Sequence, residues 1–203
     1  MEQYKDHWER IFETKSPEQV SWTERYPQTS IDLILASGIE KNDAIIDVGG
    51  GDSLLIDTLL DLGFTNLSVL DISVKALERA QKRLGKRAKE VEWIESNILD
   101  FKPQKSYTLW HDRASFHFLT EEEDIKKYTT LVDLAKSESL VLGTFSTSGP
   151  QKCSGLVIKQ YDCKSLAACF NKHFSQLECL ETDHITPFDT TQKFVFSRFK
   201  RKP

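Results

Sequence analysis

Short apolar runs alternate with amphipathic stretches along the chain from residue 44 onward. Short apolar runs bounded by turn residues are typical of buried strands, whereas apolar residues spaced three and four apart indicate helices. The predicted strands lie at 44–48, 67–71, 91–95, 106–111 and 139–146, and the predicted helices at 53–62, 74–84, 121–136 and 164–173. Because strands alternating with helices form right-handed crossovers, we expect a mainly parallel sheet with helices on both faces.

The last two apolar runs, 175–184 and 191–199, differ from the earlier ones because only a short loop separates them. Such a loop cannot hold a helical crossover, so the two runs are predicted to pair antiparallel. The expected fold class is therefore α/β, with a doubly wound, mainly parallel sheet that ends in a C-terminal antiparallel hairpin.

The N-terminal segment is rich in aromatic and charged side chains and does not share the alternating pattern. Trp8 and Phe12 stand at helical spacing, which predicts a short first helix. A second helix is predicted at 31–37, with Thr29 or Ser30 as its N-cap. The length of 203 residues is typical of one domain. We expect a single domain over 1–203, made of a helical segment at 1–40 and an α/β core at 41–203.

Charge and hydropathy exclude two classes of partner. The formal charge of −4 argues against a dedicated nucleic-acid-binding protein, which usually has a basic face. The chain contains no apolar run of the roughly 20 residues that span a bilayer, so we expect no membrane partner. The charged first residues do not resemble a signal peptide.

The four cysteines show no spacing typical of a zinc site, and we expect no metal. They are Cys153, Cys163, Cys169 and Cys179. Without a secretory signal, four cysteines in a chain of this length are expected to be reduced thiols in the cytoplasm.

A glycine cluster follows the first predicted strand of the alternating region. Residues 47–51 read Asp-Val-Gly-Gly-Gly and precede a predicted helix. Glycines allow a tight turn and a close backbone approach, and the N-terminus of the following helix attracts a polar ligand. The next predicted strand ends at Asp71, where a carboxylate can accept hydrogen bonds from both hydroxyls of a ribose. Together these features predict a nucleotide-type ligand at the edge of the sheet.

These motifs resemble those of the class I S-adenosylmethionine-dependent methyltransferases. Residues 47–51 are similar to their first motif, 69–73 to their second and 97–101 to their third. The resemblance implies a Rossmann-like, seven-stranded sheet of order 3-2-1-4-5-7-6, with residues 1–40 folded over the cofactor and acceptor as a lid. It also implies S-adenosylmethionine as cofactor, with Asp71 on the ribose hydroxyls and Asn97 near the adenine amino group. The expected cofactor-binding residues are Asp47, Gly49, Gly50, Gly51, Asp71, Ile72, Asn97, Ile98, His111 and Trp22.

The segment 109–119 is the densest cluster of reactive side chains and follows the fourth predicted strand of the sheet. Methyl transfer is a displacement at a sulfonium, so a base is needed only if the acceptor must first lose a proton. His111 and Asp112 are the expected catalytic residues. An alternative for Asp112 is a structural ion pair with Arg113 that shapes the turn.

We interpret the chain as a methyltransferase that acts on an unidentified small-molecule acceptor by in-line displacement. One alternative is protein-lysine methylation, because Asp112-Arg113-Ala114 is similar to a motif of the seven-strand protein-lysine branch as well as of the thiopurine-methyltransferase-like group. Another alternative is a catalytically silent S-adenosylmethionine-binding module. A nicotinamide-dependent oxidoreductase is disfavoured because Ser53 stands where that fingerprint requires a third glycine. The sequence leaves the acceptor, the methylated atom and the oligomeric state open.

Overall fold

A computed structural model describes the backbone of residues 2–203 and the side chains of residues 3–203. Its strands in chain order are β1 (Ile45–Val48), β2 (Leu67–Asp71), β3 (Val91–Glu95), β4 (Leu109–Arg113), β5 (Ser139–Phe145), β6 (Lys152–Cys153), β7 (Leu156–Val157), β8 (Phe174–Ile185) and β9 (Thr191–Arg201). Its α-helices are α1 (Glu2–Thr14), α2 (Gln28–Ala36), α3 (Leu55–Asp61), α4 (Val74–Leu84), α5 (Glu122–Leu134) and α6 (Cys163–Phe170).

Seven strands form one sheet of order β3-β2-β1-β4-β5-β9-β8, and β6 and β7 form a separate two-stranded ribbon. β1 to β5 run parallel, whereas β9 pairs antiparallel with β5 and β8 pairs antiparallel with β9. When the strands of the ribbon are left out of the numbering, this order is the predicted 3-2-1-4-5-7-6. The predicted fold class is therefore confirmed.

Apolar side chains cover both faces of the sheet, as expected for strands that have helices on each side. Ile45, Leu67 and Leu109 pack with α2, α3 and α4 on one face. Ile46 and Trp110 pack with α5 and α6 on the other face. Successive residues of a strand point to opposite faces, so sequence position along each strand decides which helical layer a side chain meets.

The predicted bounds of α4 agree with the structure because both of its ends carry strong local signals. The Ser73 side chain accepts a hydrogen bond from the backbone N–H of Ala76, and Gly85 ends the helix with a φ of +57°. A serine N-cap and a C-terminal glycine are both readable from the sequence.

The fourth strand lies further along the chain than predicted. Its parallel pairing begins at Leu109, opposite Ile45, and extends to Arg113, opposite Gly143. The N–H of Tyr107 instead donates to Ala135 O beside the end of α5, so residue 107 lies outside the ladder. This shift places Asp112 and Arg113, two members of the cluster of reactive side chains, within the strand rather than after it.

The second helix also differs from the prediction at its start. α2 begins at Gln28, with Pro27 at the N-cap position, so Ser30 lies within the first turn and does not cap the helix. A proline suits a helix start because its missing N–H would have no partner there.

The expectation of four reduced thiols is wrong. Cys163, at the start of α6, and Cys179, in β8, form a disulfide with a Cα–Cα distance of 5.9 Å. Cys153 and Cys169 are free. The pairing depends on how α6 packs against β8, which cysteine spacing alone does not reveal.

Over residues 2–203, the helices are all too short or too polar to cross a membrane.

Candidate functional site

A cavity of about 770 Å³ lies at the carboxyl ends of β1, β2 and β4. This edge of a doubly wound sheet is where ligands bind. All ten residues expected to bind the cofactor line this cavity: Trp22, Asp47, Gly49, Gly50, Gly51, Asp71, Ile72, Asn97, Ile98 and His111. The tertiary structure therefore brings the predicted residues together, although their individual roles stay predictions.

The glycine turn after β1 has no room for side chains. Gly49 has a φ of +67°, and a Cβ added there would lie 2.5 Å from the Cβ of Ser115. A Cβ added to Gly50 would lie 2.5 Å from Oδ2 of Asp47. The N–H of Gly49 donates to Leu70 O at 2.7 Å, which holds the turn against β2. The result is a bare backbone cradle of the kind that lets a ligand approach closely.

Asp71 is the last residue of β2, and its side chain faces the glycine turn. One carboxylate oxygen, Oδ1, accepts a hydrogen bond from the N–H of Ser73 at 2.8 Å. Burial raises the pKa of this carboxyl to about 7, and the nearby charges of Asp52 and Asp47 add to the rise. A buried acceptor of this kind, next to a cradle without side chains, fits the hydroxyls of a ribose.

Asn97 precedes the short turn at 98–100 and lies on the same cavity wall as Ile98 and Ile72. Its Oδ1 accepts a hydrogen bond from the N–H of Leu99 at 2.9 Å. An amide oxygen has two lone pairs, so the second one remains available to a ligand's amino group.

The two expected catalytic residues lie on opposite faces of the sheet. His111 lines the cavity on the α2 face, and its exposed fraction is 2%. Its Nδ1 lies 2.7 Å from Oδ1 of Asp47, and its Nε2 lies 2.9 Å from Oγ of Ser30. Because Asp112 is the next residue in the same strand, its side chain points away toward α5.

The expected catalytic role of Asp112 is therefore corrected. Its Oδ1 accepts hydrogen bonds from the N–H groups of Ser115 and Phe116, and its Oδ2 accepts one from the hydroxyl of Tyr128 at 2.7 Å. Burial raises the pKa of this carboxyl to about 6. Within residues 3–203, the cavity wall does not include Asp112. Its hydrogen bonds hold the turn at 115–118 against α5.

Arg113 does not form the alternative ion pair with Asp112. Its Nη2 lies 3.1 Å from Oε1 of Glu24, and its Nη1 donates to Trp22 O at 2.9 Å. His184 reaches the same segment, since its Nε2 donates to Ser21 O at 2.6 Å. Burial opposes ionisation of Glu24, but hydrogen bonding with His184 and the charge of Arg113 outweigh it and lower its pKa. An arginine and a histidine thus hold the segment 21–24 over the cavity.

Helix α1 covers another part of the cavity. Trp8 packs edge-on against Trp22, with ring centroids 5.7 Å apart, and against Phe118, with centroids 5.2 Å apart. Glu9, on the same helix, accepts hydrogen bonds from the N–H groups of Val74 and Lys75 at the start of α4. An acidic side chain at a helix N-terminus is favourable because it pairs with unsatisfied N–H groups. The N-terminal segment therefore lines the cavity, and its function as a lid stays a prediction.

Ser30 and Glu24 are among the cavity residues that the sequence does not reveal as functional. The sequence predicts only a helix cap at Ser30, and Glu24 carries no signal because it lies in a segment without periodicity. Their contacts are with His111 and Arg113, more than 80 residues along the chain, so no local pattern could reveal them.

Residues 45–136 match a family model described as "Methyltransferase domain". The chain is also similar to the eEF1A lysine and N-terminal methyltransferase of Mus musculus, with 24% identity over 123 residues. That match covers 59% of this chain and only 17% of the relative, so the chain corresponds to a small part of that protein.

Solved structures have the same fold. One is a SAM-dependent methyltransferase from Anabaena variabilis ATCC 29413, with a TM-score of 0.75, 14% identity and coverage of 99% of this chain and 94% of that one. Another is the N-methyltransferase NodS from Bradyrhizobium japonicum WM9 in complex with S-adenosyl-L-homocysteine. Its TM-score is 0.72 at 14% identity, with 99% of this chain and 98% of that chain covered.

Proposed function

We propose that the chain is a class I S-adenosylmethionine-dependent methyltransferase that transfers the cofactor's methyl group to a small-molecule acceptor held in the same cavity. The bound cofactor would supply an electrophilic methyl group on a sulfonium and a neutral leaving group. A small-molecule acceptor is supported by the position of the cavity beneath α1 and the segment 21–24.

The placement of the cofactor follows from the cradle and its neighbours. The bare backbone of Gly49–Gly51 would lie against the methionine portion, where side chains would collide. Asp71 would accept hydrogen bonds from the ribose hydroxyls, and Asn97 would contact the adenine amino group beside Ile98. This arrangement would leave the part of the cavity beside His111 and the segment 21–24 for the methyl acceptor.

The lid favours a small acceptor over a folded protein. Two backbone carbonyls of the segment, at Ser21 and Trp22, are hydrogen-bonded to His184 and Arg113, so the segment is anchored at successive residues. A cavity of about 770 Å³ lies in the size range typical of small-molecule sites. Enclosure also excludes water from the reacting centre, which strengthens the electrostatic contacts there.

A second candidate function is methylation of a protein amine. The observation that favours it is the similarity of 59% of the chain to a eukaryotic protein methyltransferase. This acceptor would have to enter past the anchored lid, so it requires the segment 21–24 to move.

Methyl transfer into a lysate distinguishes these functions. The protein is incubated with tritiated S-adenosylmethionine and a cell lysate, which is then separated into protein and small-molecule fractions. With the wild-type protein we expect label in the small-molecule fraction. With Asp71→Ala we expect no label there, because this substitution weakens cofactor binding. Label confined to protein would overturn the small-molecule proposal and support the second candidate. No label in either fraction would contradict both and indicate a silent binding module.

A further inference from the structure

Three buried side chains from distant parts of the sequence form a continuous hydrogen-bonded chain on the cavity wall. Asp47 lies in β1, His111 in β4 and Ser30 in α2, and all three line the cavity. The distances are 2.7 Å from Asp47 Oδ1 to His111 Nδ1 and 2.9 Å from His111 Nε2 to Ser30 Oγ. Their exposed fractions are 3%, 2% and 1%, so bulk water does not compete for these hydrogen bonds.

The donor and acceptor roles in this chain follow from the carboxylate at its end. An ionised carboxylate can only accept, so Nδ1 of His111 carries the hydrogen and donates to Asp47. In a neutral imidazole the other nitrogen then has the lone pair, and Nε2 accepts from the Ser30 hydroxyl. Both ring nitrogens of His111 are thus engaged inside the protein. Nε2 of His111 can therefore take up the proton of the Ser30 hydroxyl, and a molecule in the cavity can replace that proton on the Ser30 oxygen.

We propose that Ser30, His111 and Asp47 form a proton relay that deprotonates the methyl acceptor, with Ser30 as the residue in contact with it. This inference rests on the proposed methyl transfer. The acceptor atom gives its proton to Ser30 Oγ while the Ser30 hydroxyl proton passes to Nε2 of His111. The freed electron pair on the acceptor forms the new bond to the methyl carbon, and the electrons of the old carbon–sulfur bond remain on sulfur. The imidazolium left behind is stabilised by Asp47 and later releases its proton.

The relay defines the chemical class of the acceptor. It is useful only for an atom that bears a proton in the ground state, which means a hydroxyl, a thiol or a protonated amine. Asp47 then has a positioning role, since its hydrogen bond with Nδ1 fixes the orientation of the His111 ring and the tautomer that this ring adopts. The direct base role expected for His111 is replaced by one that acts through Ser30.

The test compares Ser30→Ala with Ser30→Thr, which keeps a hydroxyl, and with Ser37→Ala as matched control. Ser37 is the C-cap residue of the same helix, and its hydroxyl donates to Leu33 O. The first measurement is the initial rate of tritium transfer from labelled S-adenosylmethionine into a small-molecule lysate extract. The second is the affinity for S-adenosylhomocysteine by calorimetry.

We expect Ser30→Ala to lower the rate by about 100-fold, at the lower end of general acid–base contributions. We expect its affinity for S-adenosylhomocysteine to stay within about twofold of wild type. Ser30→Thr should recover at least a tenth of the wild-type rate, and Ser37→Ala should behave as wild type. A normal rate with Ser30→Ala, or an equal loss of rate and affinity, would overturn the relay.

Nitrogen-15 NMR of the histidine rings, without substrate or cofactor, gives a readout that does not depend on activity. For His111 we expect a protonated Nδ1 and an unprotonated Nε2 whose shift changes in Ser30→Ala while the Nδ1 shift stays. A protonated Nε2 in the wild type would contradict the relay. If the wild-type protein transfers no label, the proposed function fails, and the NMR result still decides the hydrogen-bond direction.

Discussion

At the scale of single residues, two neighbours in the sequence lie in different environments because successive side chains of a strand point to opposite faces of the sheet. His111 and Asp112 are adjacent, yet one faces the cavity and the other the packed interior beside Tyr128. The two carboxyls whose pKa values burial raises to about 7 and about 6, Asp71 and Asp112, also differ in this way. Only the Asp71 side chain lies on the cavity wall.

The charge of Asp71 should make cofactor binding depend on pH. Its pKa of about 7 lies above that of an unfolded aspartate, so the carboxyl becomes ionised as the pH rises through 7. The ionised form can accept from both ribose hydroxyls, and we expect affinity for S-adenosylhomocysteine to rise between pH 6 and about 8. The free energy of unfolding should change in the opposite direction, because burial favours the neutral form of Asp71 in the folded protein. Its contribution to stability therefore declines as the pH rises from about 4 to about 7. Calorimetric titration across this range measures the binding effect.

Asp71→Asn is the control for this dependence, since it keeps the shape and removes the titration. At pH 8 the Asp71→Asn variant should bind S-adenosylhomocysteine more weakly than wild type, by roughly 1.5–3 kcal/mol for each charged hydrogen bond lost. Its affinity should also change less between pH 6 and about 8. A wild-type affinity that does not change between pH 6 and 8 would contradict the assignment of Asp71 to the ribose.

Gly49→Ala should destabilise the protein and abolish cofactor binding. The substitution combines a positive φ with a contact of 2.5 Å between the new Cβ and that of Ser115. Gly38→Ala is a matched control, because its φ of +68° is nearly the same but no atom lies within 4 Å of the added Cβ. The control should lose about 1–2 kcal/mol of unfolding free energy from the backbone alone. Denaturant unfolding should show a larger loss for Gly49→Ala; equal losses would mean that the turn can relax around a side chain.

At the scale of elements, α1 is bound to the core through its side chains. The carboxylate of Glu9 accepts three hydrogen bonds at the start of α4. The donors are the N–H of Val74 at 2.7 Å, and the Ser73 hydroxyl and the N–H of Lys75, each at 3.2 Å. Lys5 pairs with Glu95 at the end of β3. These contacts join α1 to the start of α4 and to the end of β3.

Glu9→Ala should loosen α1 without unfolding the core. The carboxylate acts as a capping group for α4, and the loss of such a cap costs about 0.5–2 kcal/mol. Amide hydrogen exchange in α1 should therefore become roughly 2- to 30-fold faster. Glu13→Ala, which removes an exposed carboxylate from the same helix, serves as control. If exchange in α1 were unchanged in Glu9→Ala, the other contacts of α1, such as those of Trp8 and Lys5, would be sufficient to hold it.

At the scale of the whole molecule, the cavity and the disulfide lie in different parts of the fold. The cavity lies at the carboxyl ends of β1, β2 and β4, while β9 and β8 form one lateral edge of the sheet, next to α6. The disulfide between α6 and β8 belongs to this second region, and neither cysteine lines the cavity.

Removing the disulfide should lower global stability and leave cofactor binding unchanged. The double variant Cys163→Ser/Cys179→Ser opens a link between positions 16 residues apart. The chain-entropy relation gives about 3 kcal/mol for a loop of this size. Denaturant unfolding without reductant measures the loss, with Cys169→Ser as the control that keeps the link. An unfolding midpoint equal to that of wild type would show that the link adds no stability.

The sequence alone was sufficient for the order of the main strands and helices and for the place of the cavity at the carboxyl ends of the parallel strands. Strand alternation, the glycine turn and the caps of α4 at Ser73 and Gly85 are local signals, since each depends on residues within one or two turns of chain. The ten residues that the resemblance implies for the cofactor all line the cavity, and their individual roles stay predictions.

Only the tertiary structure decided which reactive side chains meet. The ladder with β1 and β5 sets the last residues of β4, and that register puts His111 and Asp112 on opposite faces. The contact between Ser30 and His111 and the Cys163–Cys179 link likewise join separate elements. The physical reason is that periodicity records how a segment is buried, whereas the partner of a side chain depends on long-range packing that no local pattern encodes.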